Sequence, residues 1–501
     1  MEEIMIGREM NPKEMIPEEE NQEGAKIFGK LAGASLLYAL VYTGCLFENV
    51  MGLASVLWVA SSVWYVRFVF RMFGEKERRD NGIVLGMIVL LGISTVLTGN
   101  EWIGWMNDLI IFVLLVGILL HNFAQDTGWN FGKYLAEIVA AVCGAVCFIG
   151  KPFADGGAFY RSKKTRESHA GWYVLIGICA AVPCLMVLVL LLMSADMVFA
   201  DLLVRFAGVF RFPVKLLRIL LMLVFGFLSS YCGVRYVQKH AADIKPSAGK
   251  TAEPLIAIAF TAPIAVLYLL FSAIQIVYLF IGNMQLPAGV TYAEYARRGF
   301  FQLLFVCVLN LAAVLSIQGY FKENRVLKAL LLAISGCTLI MTASACRMIL
   351  YIRAYQLTFL RVSVLVALAV IALLMAGVIA KIVKPQFPLF RYGFVLVGAV
   401  YLVFSFSHVD YFIAAYNLTH TSWEASGEET VDYSYLYTLS TDAAPAIEKY
   451  AGKSGAADYR KQGWYQLYCE ANEEALNETG LRTYNVSHAV AKQLLMEDNR
   501  E

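Results

Sequence analysis

The sequence predicts an all-α polytopic integral membrane protein of about 11–13 transmembrane helices, followed by a small, mainly helical C-terminal extramembrane domain. Three observations carry this. Of 501 residues, 59% are hydrophobic and only 16% charged, against about 25% charged in soluble domains. The apolar residues gather in runs of about 17–25, the length that crosses a ~30 Å hydrocarbon layer as a helix. Past residue 407 the runs stop, and the chain turns acidic, polar and aromatic.

Taken in order, residues 1–26 read as a disordered cytoplasmic lead-in. The stretch "MEEIMIGREMNPKEMIPEEENQEGAK" is acidic, poor in apolar surface and without the basic start of a secretory signal. Transmembrane helices occupy 27–150, with runs at about 27–47, 50–70, 82–99, 105–123 and 134–150. A basic cytoplasmic loop spans 151–170. The C-terminal transmembrane core covers 171–407, with runs at about 171–194, 215–236, 255–281, 300–320, 327–346, 361–383 and 391–407. Residues 408–501 make up the acidic extramembrane domain.

Lysine and arginine bias orients the chain. Both "RMFGEKERRDN" (71–81) and "YRSKKTRESH" (160–169) belong inside, yet three runs separate them, an odd number of crossings. Either one run conceals two crossings, or one of the three is re-entrant or interfacial. The run at 134–150, with Glu137 near its start, is the weakest. Counting onward from 170, the tail is expected outside the cell membrane, and the acidic N-terminus is expected on the cytoplasmic side.

In the tail, "DYRKQGWYQLYCEANEEALNETG" (458–480) reads as an amphipathic helix closed by Gly480, and "SHAVAKQLLMEDN" (487–499) as a second capped by Ser487. The segments "YNLTH" (416–420) and "YNVSH" (484–488) echo each other. Asn-x-Thr/Ser reads either as a glycan acceptor or, in preference, as polar turn and cap atoms.

One stretch, "TYAEYARRGFFQLL" (291–304), interrupts the apolar pattern. Thr291 and Glu294 form a capping-box pair, so a helix is expected to start there. Glu294 and Arg298 then share a face, and Tyr292 and Tyr295 suit the membrane boundary. On the same predicted side, "CRMILYIRAYQLTFLR" (346–361) stacks Arg347, Tyr351 and Tyr355 one turn apart. Glu294, Arg297, Arg298, Arg347, Tyr351, Tyr355 and Arg361 are therefore candidate ligand-binding residues, a rim for an anionic lipid or a protein partner. Tyr268, Ser272, Gln275, Asn310, Thr338 and Thr342 form polar stripes on neighbouring runs. They either bond helix to helix or line a cavity.

No zinc-protease, phosphate-loop, dinucleotide or nucleophile-elbow motif is present, so no catalytic residue, metal ligand or cofactor is assigned. A net charge of +2 gives no support to a nucleic-acid partner. Cys143 and Cys147, four apart without a companion acid or histidine, read as small buried packing residues.

The segments "TYAEYARRGFFQLL", "SACRMILYIRAYQLTFLR" and "LRTYNVSHAVAKQ", with "LLLMSADMVF", "HVDYFIAAYNLTH" and "VDYSYLYTLSTDAAPAI", resemble a bacterial multi-pass membrane family. It is known only as a domain of unknown function, of the 4153/4173 type. The resemblance covers roughly 165–495 and implies that the tail and the membrane core form one architecture. It implies no activity. The expected role is a non-enzymatic envelope protein that displays a small outer domain and holds an anionic lipid or a protein at the Arg/Tyr rim. The alternative is a transporter or flippase with a cavity among the helices spanning 255–346.

Overall fold

In the computed structural model, the residues described are 12–49, 51–126, 128–163, 185, 188–189, 191–199, 201–202, 214–244, 250–277, 292–351, 356–420, 422–423, 429–430, 433–451, 462–477 and 480–497. For 12–22, 214, 242–243, 292–300, 348–351, 422–423, 429–430 and 496–497 the backbone alone is described. The membrane part runs α1 (Pro12–Leu46), α2 (Leu53–Phe73), α3 (Asn81–Leu97), α4 (Glu101–Phe123), α5 (Phe131–Cys147) and α6 (Lys151–Lys163). It continues with α7 (Val214–Asp243), α8 (Pro254–Gln275), α9 (Tyr292–Tyr320), α10 (Arg325–Tyr351), α11 (Phe359–Val383) and α12 (Leu389–Phe406). Among the described residues, nine helices are long and apolar enough to cross a bilayer, and α3 is a shorter apolar helix of 17 residues. The predicted span at 171–194 lies largely outside the described residues.

The weak run at 134–150 coincides with a bend. Helices α5 and α6 meet at 56° around the break after Cys147. Residues 151–163, expected as loop, are helical, because α6 has apolar and ionic partners on α1 and α7. Phe159 meets Phe28 at 5.6 Å between rings, and Asp155 meets Arg235. Helix α1 likewise begins at Pro12, ahead of the apolar run at 27. Its first part is held in place where Glu23 reaches Gln238 on α7. Small residues let α1 and α7 approach closely: a Cβ on Gly226 would stand 3.3 Å from the Ala39 Cα. Cys143 and Cys147 are exposed rather than buried, since α5 turns only Ala141 and Gly144 inward.

Helices α8–α11 form a second group with its own apolar clusters around Cys307, Met341, Leu368 and Met375. Helix α12 joins the two groups. Ser405 meets Ser94 of α3 at 2.6 Å between hydroxyls, and the Tyr401 and Ser405 hydroxyls both donate to the Asn107 side-chain oxygen of α4, at 2.8 and 2.9 Å. Gly398 leaves room for Met87.

The tail comprises α13 (Val409–Thr419), α14 (Tyr433–Leu436), a 3-10 turn (Thr441–Ala443), α15 (Ala444–Tyr450), α16 (Gly463–Ala471), α17 (Glu473–Asn477) and α18 (Val486–Lys492), with a two-residue antiparallel pair, Ser422–Trp423 with Glu429–Thr430. The single helix expected over 458–480 is instead interrupted at Asn472, whose amide bonds the Leu439 and Tyr468 carbonyls at 3.1 and 3.0 Å, and the described helices stop at Asn477, before Gly480. Asn485, not Ser487, caps α18, because its oxygen accepts from the amides of Ser487 and His488. The tail core of Ile413, Leu418, Leu436, Ile447, Tyr468 and Leu495 continues into Ile103 of α4 and packs against Phe359 and Phe404.

Candidate functional site

The most densely bonded polar cluster among the described residues is where the tail meets the α3–α4 turn, Thr98–Gly99–Asn100. Two carboxylates of the tail close on that turn. Asp442, buried in the 3-10 turn, accepts from the Thr98 hydroxyl at 2.6 Å and the Gly99 amide at 2.8 Å, and it lies 3.2 Å from the His408 imidazole. Asp410, in the first turn of α13, accepts from the Asn100 amide group at 2.9 Å and from the Ser440 hydroxyl and backbone amide at 2.6 and 3.1 Å. Asn100 in turn caps α4 through the Ile103 amide. Asn485 donates to the Thr95 and Thr98 carbonyls at 3.2 and 2.8 Å, filling acceptors left open at the end of α3.

Glycine is required at 99 by this closeness. A Cβ there would stand 1.9 Å from the Thr441 hydroxyl and 2.8 Å from that of Ser487, two groups themselves bonded at 2.9 Å. His408 precedes α13 with φ 47°, a left-handed conformation that costs a non-glycine residue energy and turns the chain from α12 into the tail.

The charges of the cluster differ in their protonation. Burial pushes Asp442 upward, but bonds from His408, Ser487, Thr98 and the Gly99 amide outweigh it and hold the carboxyl below the usual aspartate range. Burial also raises Asp410, and there the Ser440 and Asn100 bonds only partly compensate, with Asp442 repelling it further. His408 is raised by its bond to Asp442, against its partial burial. The signs follow from linkage. The depressed Asp442 contributes stability above its unfolded pKa of about 3.9, lost as pH falls. The raised His408 contributes below its unfolded value of about 6.5, lost as pH climbs through the folded one. The raised Asp410 favours the docked tail at low pH and withdraws that support as pH rises. Tail docking is therefore expected to be strongest in mildly acid solution. The measurement is protease resistance of the tail against pH. His408→Gln should flatten the loss above about pH 6.5. An unchanged profile in that variant would remove His408 from this account.

The predicted rim residues that the structure describes fall on one end of the helix array, the end carrying the tail. The Leu357 amide and carbonyl pair with the Asn417 side chain at 2.8 and 2.9 Å, and the Phe359 amide donates to the Tyr435 hydroxyl at 2.8 Å, so α11 starts against the tail. Cys307 lies beside Thr342 and Asn310 beside Thr338, so α9 runs antiparallel to α10 and begins where α10 ends. Glu294, Arg297 and Arg298 lie in the first turns of α9 and Tyr351 closes α10, all four with backbone alone described. Thr291 and Tyr355 lie outside the described residues. Arg347 is half-buried near the end of α10. Arg361 donates to the Gln356 carbonyl, one turn inside the Thr358 cap of α11.

The polar stripes meet in a directed chain. The Tyr268 hydroxyl donates to Asn310 at 2.8 Å, Asn310 donates to Thr338 at 3.0 Å, and Thr338 donates to the Ile334 carbonyl at 2.8 Å. Thr342 donates back to the Thr338 carbonyl at 2.8 Å. Ser272 is buried with no partner on its hydroxyl among the described residues, and Gln275 is buried at the end of α8.

Sequence reasoning passes over Asp410, Asp442 and the turn they hold. Both acids sit inside quoted landmark segments, "HVDYF" and "STDAA", and an acid surrounded by aromatic and small residues is the available signal. It also passes over the pair of Asp155 and Arg235 between α6 and α7, at 3.1 Å and almost wholly buried. The two echoed asparagines, Asn417 and Asn485, are 0% and 2% exposed and hold backbone of other segments, which leaves no room for a glycan on either. No group of three or more metal-ligating side chains is found among the described residues.

Fold and cluster together define a polytopic α-helical membrane protein whose C-terminal helices are latched onto one end of its own membrane helices. The chain belongs to the family described as a domain of unknown function (DUF4153), whose family model matches residues 85–450, more than half of its length. No curated protein and no solved structure matches it.

Proposed function

We propose that this is a non-enzymatic protein of a bacterial cell envelope that displays its latched tail on the outer face and holds an anionic lipid or a protein partner at the neighbouring Arg/Tyr rim. The observation that carries the reading is the placement of the rim segments, at the starts of α9 and α11 and the end of α10, on the same end as the tail. Charge supports the orientation. Lys76, Arg78, Arg79, Lys250, Lys322, Arg325, Lys328 and Lys384 gather at the opposite end, whereas the tail-end turns at 47–52 and 98–100 contain no lysine or arginine. Arginines on the tail side run against that bias, which favours an anionic occupant. The self-bonded chain from Tyr268 to Ile334 supports a packing role for the polar stripes over a transport cavity.

Orientation is tested by labelling intact cells with an impermeant thiol reagent, in a background without the ten native cysteines. Thr438→Cys should label and Lys76→Cys should not; the reverse result turns the protein over and makes its partners cytoplasmic. The rim is tested by Arg298→Ala and Arg347→Ala. Both variants are expected to accumulate normally and to retain less phosphatidylglycerol or partner on purification. Failure of both to accumulate would assign the arginines to folding and end the rim proposal.

A further inference from the structure

At the end away from the tail, the outward face of α2 carries a groove of about 320 Å³ lined by Ala60, Val63, Trp64, Arg67, Phe68 and Arg71. These residues recur at three- and four-residue steps, so one face of a spanning helix supplies the whole lining. The other face, with Trp58, Val59, Tyr65, Val66, Val69 and Phe70, is buried in the protein. Lipid must therefore cover the groove, and the lining specifies which lipid. We propose that it holds one anionic phospholipid of the leaflet at that end, with the phosphate between Arg67 and Arg71 and an acyl chain along Ala60, Val63 and Trp64.

Three features favour an anionic head group over a neutral one. Arg67 and Arg71 are like charges four residues apart on one helix face, an arrangement that destabilises a helix by itself and that a shared anion relieves. Arg67 has one partner, Glu77 at 3.4 Å, and Arg71 has no ion-pair partner among the described residues. In the loop beyond α2, Glu77 is engaged by Arg67 and Arg78 is taken by Asp126 at 2.6 Å, while Lys76 and Arg79 stand exposed. The attraction of the α2 C-terminus for cations accounts for Arg71 in the last turn. It does not account for an aromatic shelf beside the pair. Trp64 and Phe68 stack at 5.5 Å on that same face, with Trp64 45% exposed where interfacial rings anchor.

The test is native mass spectrometry of the full chain, purified from bilayers of equal parts phosphatidylglycerol and phosphatidylcholine. Wild type is expected to retain one more phosphatidylglycerol than Arg67→Gln/Arg71→Gln, with affinity at the groove falling roughly twenty-fivefold, about fivefold for each arginine. Arg325→Gln/Lys328→Gln, basic residues of the same end outside the groove, should retain it, and in the Arg298→Ala/Arg347→Ala background the glutamine pair should still cost one further phosphatidylglycerol. That last control separates this site from the tail-side rim. Equal retention in wild type and the glutamine pair overturns the proposal, as does equal loss in the Arg325/Lys328 control. Displacement by inorganic phosphate alone, with no dependence on the acyl chain, also overturns it by making the groove a free-anion site. Should the glutamine pair fail to assemble, Arg71→Gln alone makes the same comparison.

Discussion

Arg235→Met is expected to lower stability by about 3–5 kcal/mol, the usual result of removing one partner from a buried ion pair. Arg235 is 0% exposed, although its helix is one of the membrane spans. Its Nε donates to Asp155 at 3.1 Å, and its Nη1 donates to Gln238 at 2.8 Å, which continues to Glu23 at 3.2 Å. The network ties α6, α7 and α1 together. With methionine in place, Asp155 keeps, among the described residues, only the Tyr231 hydroxyl, at 2.9 Å, as a side-chain donor. The double variant Arg235→Met/Asp155→Leu should recover most of the loss, because no charge is then left buried and unpaired. Thermal unfolding in detergent reads the difference. Equal losses in the single and double variants would show that packing volume, not charge, is what matters there. Gly24 belongs to the same joint: a Cβ at this position would stand 2.2 Å from Asp155 Oδ1.

Asp442→Ala should release the tail from the α3–α4 turn. The change leaves the Thr98 hydroxyl and the Gly99 amide without their acceptor in a buried place, at about 1–3 kcal/mol for each orphaned group. His408 loses the neighbour that raises its pKa. The expected result is a tail open to limited proteolysis while the membrane helices stay intact. A tail as resistant as the wild type's would mean that the apolar core around Ile413, Ile447 and Tyr468 holds the joint without the carboxylate. Asp442→Asn should fall between the two, since one amide oxygen can still accept from Thr98 or Gly99.

The membrane helices were legible in the sequence because each run satisfies its own backbone hydrogen bonds in lipid. Length and apolarity therefore identified α2, α4 and α7–α12 with little help from tertiary context. The same local logic found the weak run at 134–150, where the α5–α6 bend lies. It misjudged Cys143 and Cys147, because periodicity in a uniformly apolar helix does not reveal which side meets protein and which meets lipid. It also took Ser487 for a cap. Asn485, two residues earlier, caps α18 while its amide group closes the end of α3, and the Ser487 hydroxyl bonds Thr441 instead.

By itself, then, the sequence determined the class of protein, most of its membrane helices and the point at which the apolar runs give way to the tail. These depend on how each segment partitions between water and hydrocarbon, a property of neighbouring residues. Only the tertiary structure decided that Asp442 closes on Thr98, that Asp410 meets Asn100 and that Asp155 neutralises Arg235. Thr98 and Asp442 are 344 residues apart in the chain. An isolated aspartate reads as a solvated surface charge until the fold removes its water and supplies donors in exchange, and those donors come from helix ends that no local pattern connects.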